Sequence, residues 1–503
     1  MTTVKQVGKE WTRKHTLKSA LWFFLYLVIY VVLAGVLVLG GKLGEIGEIM
    51  RAQGANYVYA IFCSLLLVII MYLYFIFENK DMISNGKNIT LLFSILYLHL
   101  ILSCVIGYKF DIYARTVALV ALLVLSLVGR REAIIMNVIS ALLIFIIDTF
   151  AMPDVPNEEC YSALIIAFTS GMFAIFVGEK SKTRFSIVGV GFFIVFPIDL
   201  IIFLLEIPKL ITPAVVAGEP SVWNQILTEM GYGLFGGIMS AILFLFVLPV
   251  FETVFNCLTA FRLRELTSSE AKLLKKLKTE ASGTYNHSSM VAQLAEASAA
   301  AIGEDVDYAR AAALYHDVGK LHYPEHFTEN QGDYNLHDEL TPELSADIIR
   351  SHARDGYNLI RNHHLPEFLA DVAVQHHGTM PIRYFYAKAL KMTDGELNIE
   401  DFSYMGPKPQ TKIAAIIMIC DAAEAAVRAT GARTANDVEK AVRGVIEERM
   451  DLEQFAECDI TIADLTRIRY ALVNAFTGVH HHRIKYPNIK YRRTENGTKG
   501  ENE

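Results

Sequence analysis

The sequence predicts an all-α protein in two parts, a polytopic helical membrane domain followed by a cytoplasmic all-α domain. Three observations carry this expectation. Of 503 residues, 53% are hydrophobic and 20% are charged, unusual for a soluble chain. The two kinds are segregated: apolar runs continue to about Val250, and charge and histidine rise beyond it. Past Gly283 the apolar residues recur with a period near 3.6, and almost no alternating β-branched run occurs.

A bilayer core takes roughly 20 apolar helical residues to cross. Ser19–Gly41, Tyr57–Phe77, Ile89–Tyr108, Ala133–Met152, Tyr161–Val177, Phe185–Leu205 and Gly231–Val250 qualify. The weakest run, Ile112–Val128, carries Arg115 near one end and brings the expected count to eight. Loop charges agree with that count. Lys5, Lys9, Arg13, Lys14 and Lys18 place the N-terminus inside, and Arg130-Arg131 and the Lys180–Arg184 loop fall on the same side. The acidic Pro153–Cys160 loop falls outside. An even count returns the chain to the cytoplasm after Val250. Asp148, Asp199 and Glu206 lie in or at the ends of spans and are expected to be solvated near the outer interface. The six cysteines are scattered, which argues against a disulfide framework. Cys160 is expected in an outer loop.

The expected layout is a basic N-terminus over 1–18, a membrane domain over 19–250, a linker over 251–282, a catalytic domain over 283–487 and a disordered tail over 488–503. In the linker, Thr267-Ser268-Ser269-Glu270 reads as a helix cap. Leu273, Leu274 and Leu277 form one face there, with Lys272, Lys275, Lys276 and Lys278 on a solvated remainder. In the catalytic domain, helical patterns cover Ser288–Ala301, Asp307–His316, Thr341–His352, Glu367–His376, Thr411–Thr430 and Asn436–Arg449. The net charge of −7 indicates no general polyanion surface, so no nucleic-acid polymer is an expected partner.

On this helical scaffold sits an ordered series: His287, His316-Asp317, His352, His376-His377 and Asp421. A lone histidine is more often a hydrogen-bonded core or surface group, and His322, His326, His337, His363, His364 and His480–His482 are read that way. The series differs, because an adjacent His-Asp and an adjacent His-His are flanked by single ligand types. Side chains from facing helices build metal sites inside bundles. Five imidazoles and two carboxylates exceed the four ligands of a structural zinc site. They suit two divalent ions, and mixed N and O donors without thiolate favour Mn or Fe. Two such ions form an arrangement for in-line displacement at phosphorus.

His316-Asp317-Val318-Gly319-Lys320 is an H-D-x-G-K core. With Gly283–Ser288, Glu329-Asn330-Gln331, His376-His377-Gly378-Thr379, Tyr384-Phe385-Tyr386, Gly406–Gln410 and Gly236–Ala241, it resembles the seven-transmembrane-receptor HD family, including PgpH-type cyclic-di-AMP phosphodiesterases. The resemblance implies an HD-domain phosphohydrolase at a bacterial plasma membrane, with a cyclic dinucleotide as substrate and the linear pApA as product. It assigns His287, His316, Asp317 and Asp421 to one ion, and His352, His376 and His377 to a second that Asp317 bridges. The expected attack comes from a hydroxide bridging the ions. Lys320 is read either as a phosphate or leaving-group contact or as an ion-pair partner of Asp317. Tyr384, Tyr386, Lys408 and Arg428 are candidate adenine or phosphate contacts. The resemblance departs in two places: Asn286 stands where the family commonly has a histidine, and Lys42–Asn56 leaves no room for the family's large extracytoplasmic domain. Hydrolysis of cyclic di-GMP or guanosine tetraphosphate, a nucleotide-binding receptor and a transporter are the rival readings. The bilayer is an expected partner, and a homodimer is left open.

Overall fold

The computed structural model describes residues 13–479 except 40–43, 45, 152–154, 182, 211–220, 333, 393–395 and 433. Lys5, Lys9, His480–His482, the tail from Asn488 and parts of three loops expected on the outer side fall outside the described residues. The chain divides into two compact units between Leu266 and Thr267.

The first unit contains α1 (Arg13–Leu39), α2 (Ile46–Glu78), α3 (Lys80–Ser84), α4 (Gly86–Lys109), α5 (Leu119–Leu127), α6 (Arg130–Ala151), α7 (Asn157–Gly178), α8 (Ser186–Leu210), α9 (Ser221–Val254) and α10 (Ala260–Leu266). Seven of the described helices, α1, α2, α4, α6, α7, α8 and α9, are long and apolar enough to cross a membrane. The region is therefore a multi-pass membrane domain.

The expected eighth span is not one continuous helix. Ile112–Ala114 is a 3-10 turn capped by Asp111, whose side chain accepts the Tyr113 N–H at 2.8 Å. Arg115 is extended, and the α-helix starts only at Leu119. The break has a physical cause. The buried Arg115 donates to the Ser103 carbonyl at 3.1 Å and to both oxygens of Asp148 at 2.6 and 2.8 Å. Gly236 lets α9 come against the same backbone, since a Cβ there would lie 2.6 Å from the Arg115 carbonyl oxygen. The segment still runs back along the bundle. α4 starts beside Trp22, and Tyr108 near its end donates to the Val38 carbonyl at 3.3 Å. Leu122 and Leu125 lie against Gly178 at the close of α7. At that end Arg130 pairs with Glu179 at 3.1 Å and Asn79 donates to Glu132 at 2.8 Å.

The intramembrane acids are less exposed than expected. Asp148 and Glu206 are buried and Asp199 is half-buried. Cys160 lies in the first turn of α7, buried, instead of in a loop.

The second unit contains α11 (Lys272–Glu280), α12 (Ser282–Ile302), α13 (Val306–Tyr315), α14 (Pro342–Asn362), α15 (Glu367–Gln375), α16 (Arg383–Leu390), α17 (Lys412–Thr430), α18 (Ala435–Asp451) and α19 (Ile462–Val479). No strand occurs among the described residues; Pro381 and Ser403 form one isolated bridge. On α11 the three leucines are buried and the four lysines exposed. Its start lacks the expected side-chain cap, because the Ser268 hydroxyl accepts the Glu270 N–H instead. α17 is the central helix. Ile413–Cys420 is buried almost all round, the pattern of a helix enclosed by others. It ends at Gly431, whose φ of 63° is the left-handed cap glycine favours.

Candidate metal centre

Three helices and the turns that follow two others bring the seven ligand residues together. His287 comes from α12, His352 from α14 and Asp421 from α17, while His316-Asp317 and His376-His377 follow the last residues of α13 and α15. Asp317, His352, His376 and His377 present donor atoms within 4.8 Å of one another. So do His287, His316 and Asp317, and also His316, His376 and Asp421. Asp317 Oδ2 is 3.6 Å from His287 Nε2 and 3.4 Å from His316 Nε2. Asp317 Oδ1 is 3.3 Å from His352 Nε2 and 3.5 Å from His376 Nε2. Asp421 adds Oδ1 at 3.0 Å from His287 Nε2 and Oδ2 at 3.8 Å from His377 Nδ1.

The imidazoles are oriented before any ion arrives. Nδ1 of His316, His352 and His376 lies 2.6, 2.5 and 2.8 Å from the carbonyls of Ala313, Ile349 and Ala373. A carbonyl only accepts, so each Nδ1 carries the proton and each Nε2 offers its lone pair inward. His287 uses a carboxylate instead, with Nδ1 2.9 Å from Glu424 Oε2. His377 is covered by Tyr404, whose ring stacks on it at 4.2 Å.

The donor set fits divalent ions. His316 Nε2 and Asp317 Oδ1 are buried without a hydrogen-bond partner. A buried polar atom left alone is costly. With ligand bonds of about 2.0–2.2 Å, neighbouring donors sit about 3–3.5 Å apart, close to the spacings found here. Ionisation agrees as well. Burial opposes the charge on Asp317, yet His316 and Lys320 outweigh it and hold its carboxyl well below the usual range. Asp421 is held low in the same way against burial, by hydrogen bonds from His287 and His316. Without an ion, burial disfavours the His287 imidazolium but Asp421 and Glu424 raise it to about 10, so His287 ligates only by giving up its Nε2 proton. His376 is pushed down to about 4, chiefly by burial. That keeps it neutral and able to ligate.

Lys320 is embedded beside this cluster. Its ammonium lies 2.7 Å from Asp317 Oδ2 and 2.8 Å from Glu329 Oε1. Glu329 also accepts from the Thr284 hydroxyl at 3.1 Å. Of the two sequence readings of Lys320, the geometry matches the ion pair. Gly319 is required for the close approach of α14, since a Cβ would lie 1.9 Å from the His352 carbonyl oxygen.

The expected nucleotide contacts are dispersed. Tyr384 is 67% exposed, which leaves its ring available. Tyr386 is committed elsewhere: its hydroxyl donates to the Leu397 carbonyl at 3.3 Å and its ring packs on Phe402. Lys408 is half-buried in the turn packed on Gly378 and Thr379. Arg428 pairs with Glu424 at 3.5 Å. Of the other histidines, His322 is 58% exposed at its side chain, and His337 Nε2 sits 2.8 Å from the His326 carbonyl. Tyr404 and Glu424 were missed in the sequence, and Glu329 stood out only as part of the family pattern, without a role in the site. Glu424 was findable, standing one helical turn after Asp421 and one before Arg428.

Membrane-crossing helices joined to a helical domain with this His/Asp cluster define a multi-pass membrane protein bearing an HD-type hydrolase domain. Two family models match in that order: "7TM receptor with intracellular HD hydrolase" over residues 55–259 and "HD domain" over 284–426. The chain belongs to the family of seven-transmembrane receptors with an intracellular HD hydrolase. It is 46% identical over 265 residues to Cyclic-di-AMP phosphodiesterase PgpH of Listeria monocytogenes serotype 1/2a (strain 10403S), covering 52% of this chain and 37% of that protein. It is 38% identical over 376 residues to the PgpH of Bacillus subtilis (strain 168), covering 75% and 51%. The chain thus spans about half, or less, of the length of these relatives. A crystal structure of the L. monocytogenes PgpH HD domain with cyclic-di-AMP aligns with a TM-score of 0.41 and 47% identity, over 42% of this chain and 99% of that one.

Proposed function

We propose that the chain is a membrane-anchored, metal-dependent phosphodiesterase that opens cyclic di-AMP to linear pApA. The convergence of six donor side chains around Asp317 carries the reading, and the relatives named for this activity support the substrate. His287, His316, Asp317 and Asp421 would hold one ion. His352, His376 and His377 would hold a second, with Asp317 shared. Manganese or iron suits these N and O donors. Divalent ions bound there supply Lewis acidity and lower the pKa of a bound water.

The protein's own part is positioning. Asp317 presents one oxygen to each histidine group, and Lys320 fixes the Oδ2 side at 2.7 Å. The carbonyl-bound imidazoles hold their lone pairs inward, so little reorganisation accompanies turnover. Tyr384 and Lys408 remain the candidate adenine and phosphate contacts. In the bilayer, the broken segment at Ile112–Leu127 makes an eighth pass, which puts the N-terminus and the catalytic unit together on the cytoplasmic side.

The test is the purified full chain with Mn²⁺ and cyclic di-AMP, products identified by chromatography. His316→Ala with Asp317→Ala should cost about 10³-fold or more in turnover while the chain stays monodisperse and helical. Turnover that survives the pair overturns the reading. Cyclic di-GMP and guanosine tetraphosphate in parallel reactions test the choice of nucleotide.

A further inference from the structure

Among the ligand-type histidines, three are held by main-chain carbonyls and one by an acid. His287 Nδ1 lies 2.9 Å from Glu424 Oε2, and both side chains are largely buried. Glu424 stands one turn beyond Asp421 on α17, so one helix face supplies both the carboxylate near His287 Nε2 and the carboxylate at its Nδ1. Arg428, one turn further, lies 3.5 Å from the other Glu424 oxygen. A carboxylate is a stronger acceptor than a carbonyl, because its charge assists the hydrogen bond. An imidazole that donates to an anion becomes a more basic ligand through its other nitrogen.

We infer that Glu424 is the positioning residue of the His287 ion site, and that it makes this site the tighter of the two. The inference rests on the two-ion reading above and adds an order of filling. The ion between His287, His316, Asp317 and Asp421 binds first and leaves last. At the other ion, His352 and His376 have only main-chain carbonyls behind them, and that ion exchanges more readily. Arg428 belongs to this support, holding the Glu424 carboxylate in place, and not to substrate binding.

The experiment is a Mn²⁺ titration of the metal-stripped full chain, read by loss of the free-ion electron paramagnetic resonance signal. The unchanged chain should take up two ions with separable affinities. Glu424→Gln keeps an acceptor oxygen without the charge and should weaken the tight step about 10-fold; Glu424→Ala should weaken it by up to about 100-fold. The weak step should stay within error, and the melting temperature of the metal-stripped protein should not move. Variants that bind both ions as the unchanged chain does overturn the inference. Equal loss at both steps also overturns it, since that indicates general disruption. An unchanged chain that binds no ion removes the two-ion reading itself.

Discussion

Each unit buries charge at its centre, and the two do so with opposite outcomes. In the membrane unit Arg115 and Asp148 are almost fully buried, and both Asp148 oxygens accept from the guanidinium. In the catalytic unit Asp317 is as deeply buried, yet its Oδ1 has no hydrogen-bond donor. The first arrangement is complete within the protein and reads as architecture. The second is incomplete without a cation and reads as a site. Burial alone therefore does not mark function; unmet coordination does.

Breaking the complete pair gives the largest effect on folding. Arg115→Met leaves Asp148 charged and alone, and should cost about 3–5 kcal/mol in stability. Arg115→Met combined with Asp148→Leu should recover most of that. Thermal unfolding in detergent checks both, and a single substitution without cost would break the comparison. The incomplete cluster should respond to its missing partner. Mn²⁺ at about 100 times its dissociation constant should stabilise the catalytic unit by about 2.7 kcal/mol, and a chelator should reverse this. The transition of the membrane unit should not shift, which calorimetry can resolve. The smallest effect is geometric. Gly319→Ala drives a methyl into the His352 carbonyl and should cost about 1–3 kcal/mol. It should also weaken uptake of one ion more than of the other, as the same resonance titration reads.

Much of the catalytic unit was legible because its signals are local. The adjacent pairs His316-Asp317 and His376-His377 stand out in any helical sequence, and the helices around them follow a plain period. α16 and α19 escaped notice, their patterns being short or mixed with charge. The membrane break escaped for a different reason. Hydropathy registers an apolar run whether or not it is helical, and no glycine or proline stands at Arg115-Thr116 to mark the interruption. The pairing of Arg115 with Asp148 joins the non-helical break to α6, so Asp148 alone read as a solvated end. Glu424 and Tyr404 look like ordinary residues of their segments until folding sets them against His287 and His377.

The carbonyls of Ala313 and Ala373 each stand third from the close of their helices, where the backbone lacks an internal donor. His316 and His376 supply that donor with the nitrogen turned away from the cluster. Each of these side chains therefore ties off a strand of backbone as well as presenting a lone pair. A lineage that abandons the chemistry cannot discard either imidazole for free, because the thread it knots would begin to unravel.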